Sequence, residues 1–185
     1  MLEGIKSVLV AVTEEGRENE EGFALSYALS LAKHASAHLT VQAAASRFSI
    51  PYSMINDFGQ EIIAAENHRI AGLAQALAEK AKAEADMAGV VCAVESPQLH
   101  YASLVERFLY HARVHDLSVL DAESEALDVD RGLIEAALFE SGRPVLIVPQ
   151  GRPTFHASRI VVAWDGSAAA ARATAEALPF LRAAE

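Results

Sequence analysis

"HDLSVLDAESEALDVDRGLIEAALFESGRPVLIVPQ", residues 115–150, holds two short apolar runs with a helical pattern between them. "DLSVLDA" (116–122) and "PVLIVPQ" (144–150) are rich in Leu, Val and Ile and lack the polar alternation of a strand with one wet face. Between them Asp128 or Asp130 can cap a helix that runs to Ser141, where Gly142 stops it and Pro144 prevents its continuation. Two doubly buried strands joined by a helix pair in parallel, because the crossover returns the chain to the end of the sheet it left.

The same unit recurs outward from this stretch. "IKSVLVAV" (5–12), "AHLTVQAA" (37–44) and "VVCAVE" (90–95) read as three more strands. Helical spacing joins them over about 20–35 and about 59–88, where Gly89 reads as a C-terminal stop, and "HYASLVERFLYHARVH" (100–115) leads into the fourth strand. Five strands alternating with helices predict an α/β fold with a doubly wound, five-stranded parallel sheet. Its ligands bind at the carboxyl ends of the strands, where strand order reverses. The connection 46–60 carries Phe48, Ile50, Pro51, Tyr52, Met54, Ile55 and Phe58, more apolar residues than a loop needs. It reads either as a flap over a small-molecule pocket or as a segment packed on the domain or its partner.

Beyond residue 150 the pattern restarts. "GRPTFHAS" (151–158) reads as a linker, and "RIVVAWDGSAAAARATAEALPFLRAAE" (159–185) repeats an apolar strand, a polar turn and an alanine-rich helix. The expected organisation is one domain over 1–150, a linker over 151–158, and the start of a second, truncated domain over 159–185. Ile160, Val161, Val162, Trp164, Leu178, Phe180 and Leu181 are worth about 1.5–3 kcal/mol each when buried, so this segment is expected to pack on the first unit or swap into a second chain.

Composition narrows the function classes. Fifteen basic against 25 acidic residues give a net charge of −10, which disfavours phosphate backbones and anionic membranes as partners. No apolar run reaches the roughly 18 residues of a membrane span, and "MLEGIKS" is no signal peptide, so a cytoplasmic location is expected. Cys92, the only cysteine, lies in an apolar run and reads as a core thiol. His34 with His38, and His111 with His115, have the i, i+4 spacing of paired metal ligands, but neither pair has an evident third ligand. They read as helix-end histidines, and no metal is expected. The acidic run "DAESEALDVD" lacks the central glycine and closing glutamate of a calcium loop. No serine–histidine–acid set, HExxH or P-loop lysine occurs, and no catalytic residue is assigned.

Taken in order, "VLVAV" with the following polar turn, "ALSYALSLAKHASAHLTV", "HDLSVLDA" and "SGRPVLIVP" resemble the universal stress protein family. "RIVVAWDGSAAAARATAEALPFL" resembles the start of a second domain in its tandem members. The resemblance implies a five-stranded parallel sheet and pairing of domains through their last strands. In many members it also implies ATP, held by an aspartate ending the first strand and a G-x-x-G-(nine residues)-G-[ST] loop after the fourth. Glycines there let the backbone approach the phosphates at a helix amino terminus.

Mapped onto this chain, the pocket falls at Thr13, Ala43, Asp121, Ser124 and Gly132, with Asp165 as the aspartate of the second unit. Thr13 stands in place of the aspartate, Asp121 and Ser124 in place of the first two glycines, and Arg131-Gly132 in place of the closing pair. Asp165 has a plainer reading as a turn residue before a helix capped by Ser167. Five carboxylates (Asp121, Glu123, Glu125, Asp128, Asp130) lie where phosphates would sit, and one like charge at 4 Å costs about 4 kcal/mol at an effective dielectric near 20.

The expectation is a non-enzymatic stress-response protein, an interaction or ligand-sensing module with a degenerate nucleotide site and no cofactor in the first domain. An ATP-binding or ATP-hydrolysing switch and a carrier of a small apolar metabolite are the alternatives. A homodimer is expected through the edge strand 144–149, which left alone would expose an apolar edge.

Overall fold

The computed structural model describes residues 2–14, 23–50, 57–122 and 128–185. Its elements in chain order are β1 (Ser7–Glu14), α1 (Ala24–Ala35), β2 (His38–Ser46), α2 (Asp57–Ala88), β3 (Cys92–Glu95), β4 (Gln98–Leu99), α3 (Tyr101–Val114), β5 (Leu117–Asp121), α4 (Asp128–Glu140), β6 (Val145–Val148), α5 (Ala168–Glu176) and α6 (Leu178–Ala183). The five expected strands pair in the order β3-β2-β1-β5-β6, and every ladder is parallel. The two-residue β4 is additional. It prolongs the β3 side of β2 beyond Pro97, whose carbonyl accepts from Ala45 N at 3.0 Å.

Residue parity along the strands assigns the two layers. Val8, Val10, Leu39, Val41, Leu117 and Val119 face α1 and α2, where Leu25, Leu31, Ala81 and Ala85 complete a core. Leu9, Ala11 and Leu120 face α3 and α4, packing on Phe108, Leu109, Ala136 and Ala137. Small residues at Ala24, Ala28, Ala32 and Ala35 line the buried side of α1. Gly89, at φ +70, gives α2 the left-handed stop that a side chain would resist.

Below the sheet, at the amino ends of its strands, Asp116 ties β1 to β5. Its Oδ2 accepts from Lys6 N (2.8 Å), Ser7 N (2.9 Å) and Ser7 Oγ (3.0 Å).

The closing segment departs from the sequence expectation in two respects: the strand does not form, and Val161, Val162, Trp164 and Leu178 stay exposed. Residues 160–165 carry no helix, turn or ladder, although the helix after them forms as α5. A strand is held by its neighbour's hydrogen bonds, and among the described residues no strand of this sheet pairs with the segment. The helices α5 and α6 lie at the amino ends of the strands: Arg172 Nη2 donates to Gly142 O at 2.9 Å, and Pro179 lies against Gly4. Phe155 from the linker is the anchor, buried against Tyr27, His34 and Phe180 with ring centroids 5.6–5.9 Å apart. Docking therefore runs through Phe155 and Phe180, while Val161 stays 94 % and Trp164 61 % exposed.

Candidate functional site

Strand order reverses between β1 and β5, which places the crevice of this parallel sheet at their carboxyl ends. Asp121 is the last residue of β5 and shares the parity of Leu117 and Val119, so its side chain turns toward α1. Its Oδ1 accepts from Phe23 N at 2.7 Å and Ala24 N at 2.8 Å, the opening amides of α1. Phe23 stands at the N-cap of that helix and supplies no side-chain cap of its own. A carboxylate from 97 residues away thus does the work of a local Ser or Asp cap, with the positive end of the helix dipole facing it. Burial raises the Asp121 pKa, and the two amide bonds oppose that shift without cancelling it.

The remaining positions implied by the family resemblance fall in different surroundings. Ala43 is fully buried in β2, opposite Val12. Thr13 pairs with Ala44 at the carboxyl end of β1, and its side chain lies outside the described residues. Ser124, Glu123 and Glu125 also lie outside them. Gly132 lies within α4, on the opposite face of the sheet from Asp121, and the Tyr101 hydroxyl occupies the space a Cβ there would need. Asp165 sits in the turn before α5, in the unit docked at the other end of the strands. It accepts from Ser167 N at 2.8 Å while Ser167 Oγ caps α5 by accepting from Ala170 N, and its pKa is lowered by the bonds from Ser167. Ala43 and Asp121 thus share the α1 side of the sheet at its carboxyl end, whereas Gly132 and Asp165 do not join them.

The 46–60 connection contributes a cleft at the carboxyl end of β2. Asn67 clamps the connection to α2 by accepting from Phe48 N and donating to Phe48 O, both at 2.8 Å. Phe48, Ser49 and Ile50 form one wall, Ile62, Ile63 and Glu66 of α2 the other, around about 300 Å³. Phe48 and Ile62 are about half exposed there. Residues 51–56, on which the rest of the flap expectation falls, lie outside the described residues.

The paired histidines do not form ligand sets. His34 Nδ1 meets Ser30 O, whereas His111 Nε2 lies 3.1 Å from Glu95 and His115 Nε2 lies 2.8 Å from Thr40 Oγ1. Among the described residues no cluster of three or more His, Cys, Asp or Glu side chains is placed to hold a metal. No described helix is long and apolar enough to cross a membrane. Sequence reasoning placed Asp121 near the crevice but missed its contact with α1. Neither β5, which Asp121 closes, nor α1, which has Phe23 rather than a capping residue at its start, names the other as its partner in the sequence.

No protein-family model and no curated protein matches the chain. Solved structures do. A protein of the universal stress protein family from Burkholderia pseudomallei superposes with a TM-score of 0.54 at 22 % identity, covering 78 % of this chain and 96 % of that one. A universal stress protein in complex with cAMP superposes with a TM-score of 0.45 at 19 % identity, covering 80 % of this chain and 98 % of its own. At 22 % identity the likeness to the Burkholderia pseudomallei protein is one of fold.

Proposed function

We propose that this chain, whose fold is that of the universal stress proteins, is a member of that family acting as a stress-response interaction or ligand-sensing module, with a degenerate nucleotide site and no catalytic role. The observation that carries this reading is the seat of Asp121. A phosphate at the carboxyl end of β5 meets a resident carboxylate, Asp121, held in place by the Phe23 and Ala24 amides of α1 where the family pattern has a glycine. The position of Gly132 supports the same reading, since a glycine inside α4 and covered by Tyr101 is not an open cradle for an anion. Titration calorimetry of the full chain with magnesium and ATP tests it. Binding too weak to detect at micromolar ATP is expected, and micromolar binding or steady ATP hydrolysis would overturn it.

The chain self-associates along the β6 edge, and residues 159–185 open a second unit of the same kind. Apolar residues on β6, a strand with one partner among the described residues, support the first statement. The recurrence of a turn and capped helix after residue 159 supports the second. A cytoplasmic site of action fits both.

A second reading, a carrier of small apolar molecules, is favoured by the cleft under Phe48 and Ile62. A naphthalene-type fluorescent probe should then bind the native chain, and Ile62→Glu should abolish the signal. An unchanged signal in Ile62→Glu removes this reading.

A further inference from the structure

The sheet has two edges, and self-association along β6 uses one of them. A sheet open at both edges adds copies without limit, so a closed assembly requires that the β3 edge be kept from pairing. β3 bonds β2 on one side and, among the described residues, no strand on the other. Val91 O accepts from Leu39 N at 2.9 Å, and Leu39 stands opposite Cys92 in register. Strand alternation then turns the amides and carbonyls of Cys92 and Val94 away from β2, toward any incoming strand.

The surroundings make this edge adhesive. Val91, just before β3, is exposed. Arg107, Tyr110 and Val114 share one face of α3 by their i, i+3, i+7 spacing, and Arg107 bonds Glu95 of β3. That face therefore lies along the edge, and Tyr110 and Val114 are exposed on it. Outward main-chain groups flanked by large apolar side chains are what strand addition uses.

One side chain stands in the way. Lys82, near the end of α2, donates from Nζ to Cys92 O at 3.4 Å and to Asp86 Oδ1 at 3.0 Å. The carbonyl that an incoming amide would use is already met, and met by a charge. A strand laid over it would lose that bond and strip water from the Lys82–Asp86 pair.

We infer that Lys82 bars the β3 edge to a second copy of the chain and so limits the assembly to the pair joined at β6. The inference rests on the reading of β6 as the self-association edge and explains why growth stops there. Without the Lys82 charge, two β6-joined pairs meet through β3, about a further two-fold axis, and the sheet continues.

The test compares the full wild-type chain with four variants. Lys82→Gln and Lys82→Ala remove the charge, and Lys82→Arg keeps it. Lys80→Gln removes a charge two residues away, whose partner is Glu84. Light scattering over a dilution series should give wild type, Lys82→Arg and Lys80→Gln one common mass. Lys82→Gln and Lys82→Ala should reach at least about twice that mass and rise with concentration. Amide exchange should locate the new contact, slowing at Cys92 and Val94 in the larger species. Wild-type mass in both neutral variants, equal growth in Lys80→Gln, or growth without added protection at Cys92 and Val94 would overturn the inference. A wild-type monomer would overturn the β6 reading instead, and Lys82 would then be judged by the same comparison, monomer against β3-joined dimer.

Discussion

The hydroxyl of Tyr101, at the start of α3, stands where a Cβ on Gly132 of α4 would be. Helix propensity alone makes Gly132→Ala stabilising by up to about 1 kcal/mol, because alanine loses less backbone freedom. Contact with Tyr101 reverses the sign, and a net loss of about 1–3 kcal/mol is expected from overpacking. Tyr101→Ala in the same chain removes the obstacle and should recover most of that loss. Urea unfolding of the two single variants and the double variant measures the coupling. A Gly132→Ala chain more stable than wild type would show that α3 and α4 move apart freely.

Asp121 makes a prediction about pH. Its folded pKa is raised by burial, so the folded chain holds this proton more tightly than the unfolded chain does. Stability from this group is therefore greatest below the ordinary carboxylate value and falls as pH rises through the folded pKa. Asp121→Asn keeps an oxygen for the Phe23 and Ala24 amides while removing the charge. At neutral pH it should be at least as stable as wild type, and the wild-type-minus-variant difference should shrink toward acid only through the loss of this slope. Asp121→Ala removes the acceptor as well and should cost about 1–2 kcal/mol, the usual loss of a helix cap. Urea midpoints of the three chains between pH 3 and 7 decide it.

Asp116 titrates with the opposite sign at the other end of the same strand. Burial pushes its pKa up, but the bonds from Lys6 N, Ser7 N and Ser7 Oγ, with the Arg143 charge, outweigh burial and leave it lowered. Its contribution is complete above the ordinary carboxylate value and is lost as pH falls through the depressed folded value. Asp116→Ala should cost about 2–3 kcal/mol at neutral pH, since it orphans amides that donate to a charged acceptor. The deficit should narrow in acid. A deficit that stays constant from pH 7 to 2 would mean that the carboxylate charge plays no part in the tie.

The balance of legible and illegible features follows from range. Strands such as Val8–Val10 and Val119–Leu120 announce themselves because a doubly covered parallel strand must be apolar throughout. Gly89 and Gly142 mark helix ends because a left-handed backbone requires them, and both adopt it. Long-range ties leave no such local trace. Nothing near Phe23 says that its amide is met by Asp121, and nothing near Gly132 says that Tyr101 lies over it. The run 160–164 shows the converse. Its composition describes a strand, yet pairing depends on a neighbour that composition does not supply.

Phe155 is where the closing segment can be released selectively. Its ring is 8 % exposed and bridges Tyr27 and His34 of α1 to Phe180 of α6. Phe155→Ala removes these contacts and should cost about 3–5 kcal/mol if that part of the molecule unfolds together with the sheet. The sheet itself does not depend on Phe155, because Val8, Val10, Leu39 and Val119 are fully or almost fully buried by α1 and α2. Local opening is therefore the cheaper route, and the global urea midpoint should move less than the transfer energy predicts. The loss should show instead as faster tryptic cleavage at Arg159 and faster amide exchange in α5 and α6. An unchanged cleavage rate in Phe155→Ala would show that Arg172 and Pro179 suffice to hold the segment.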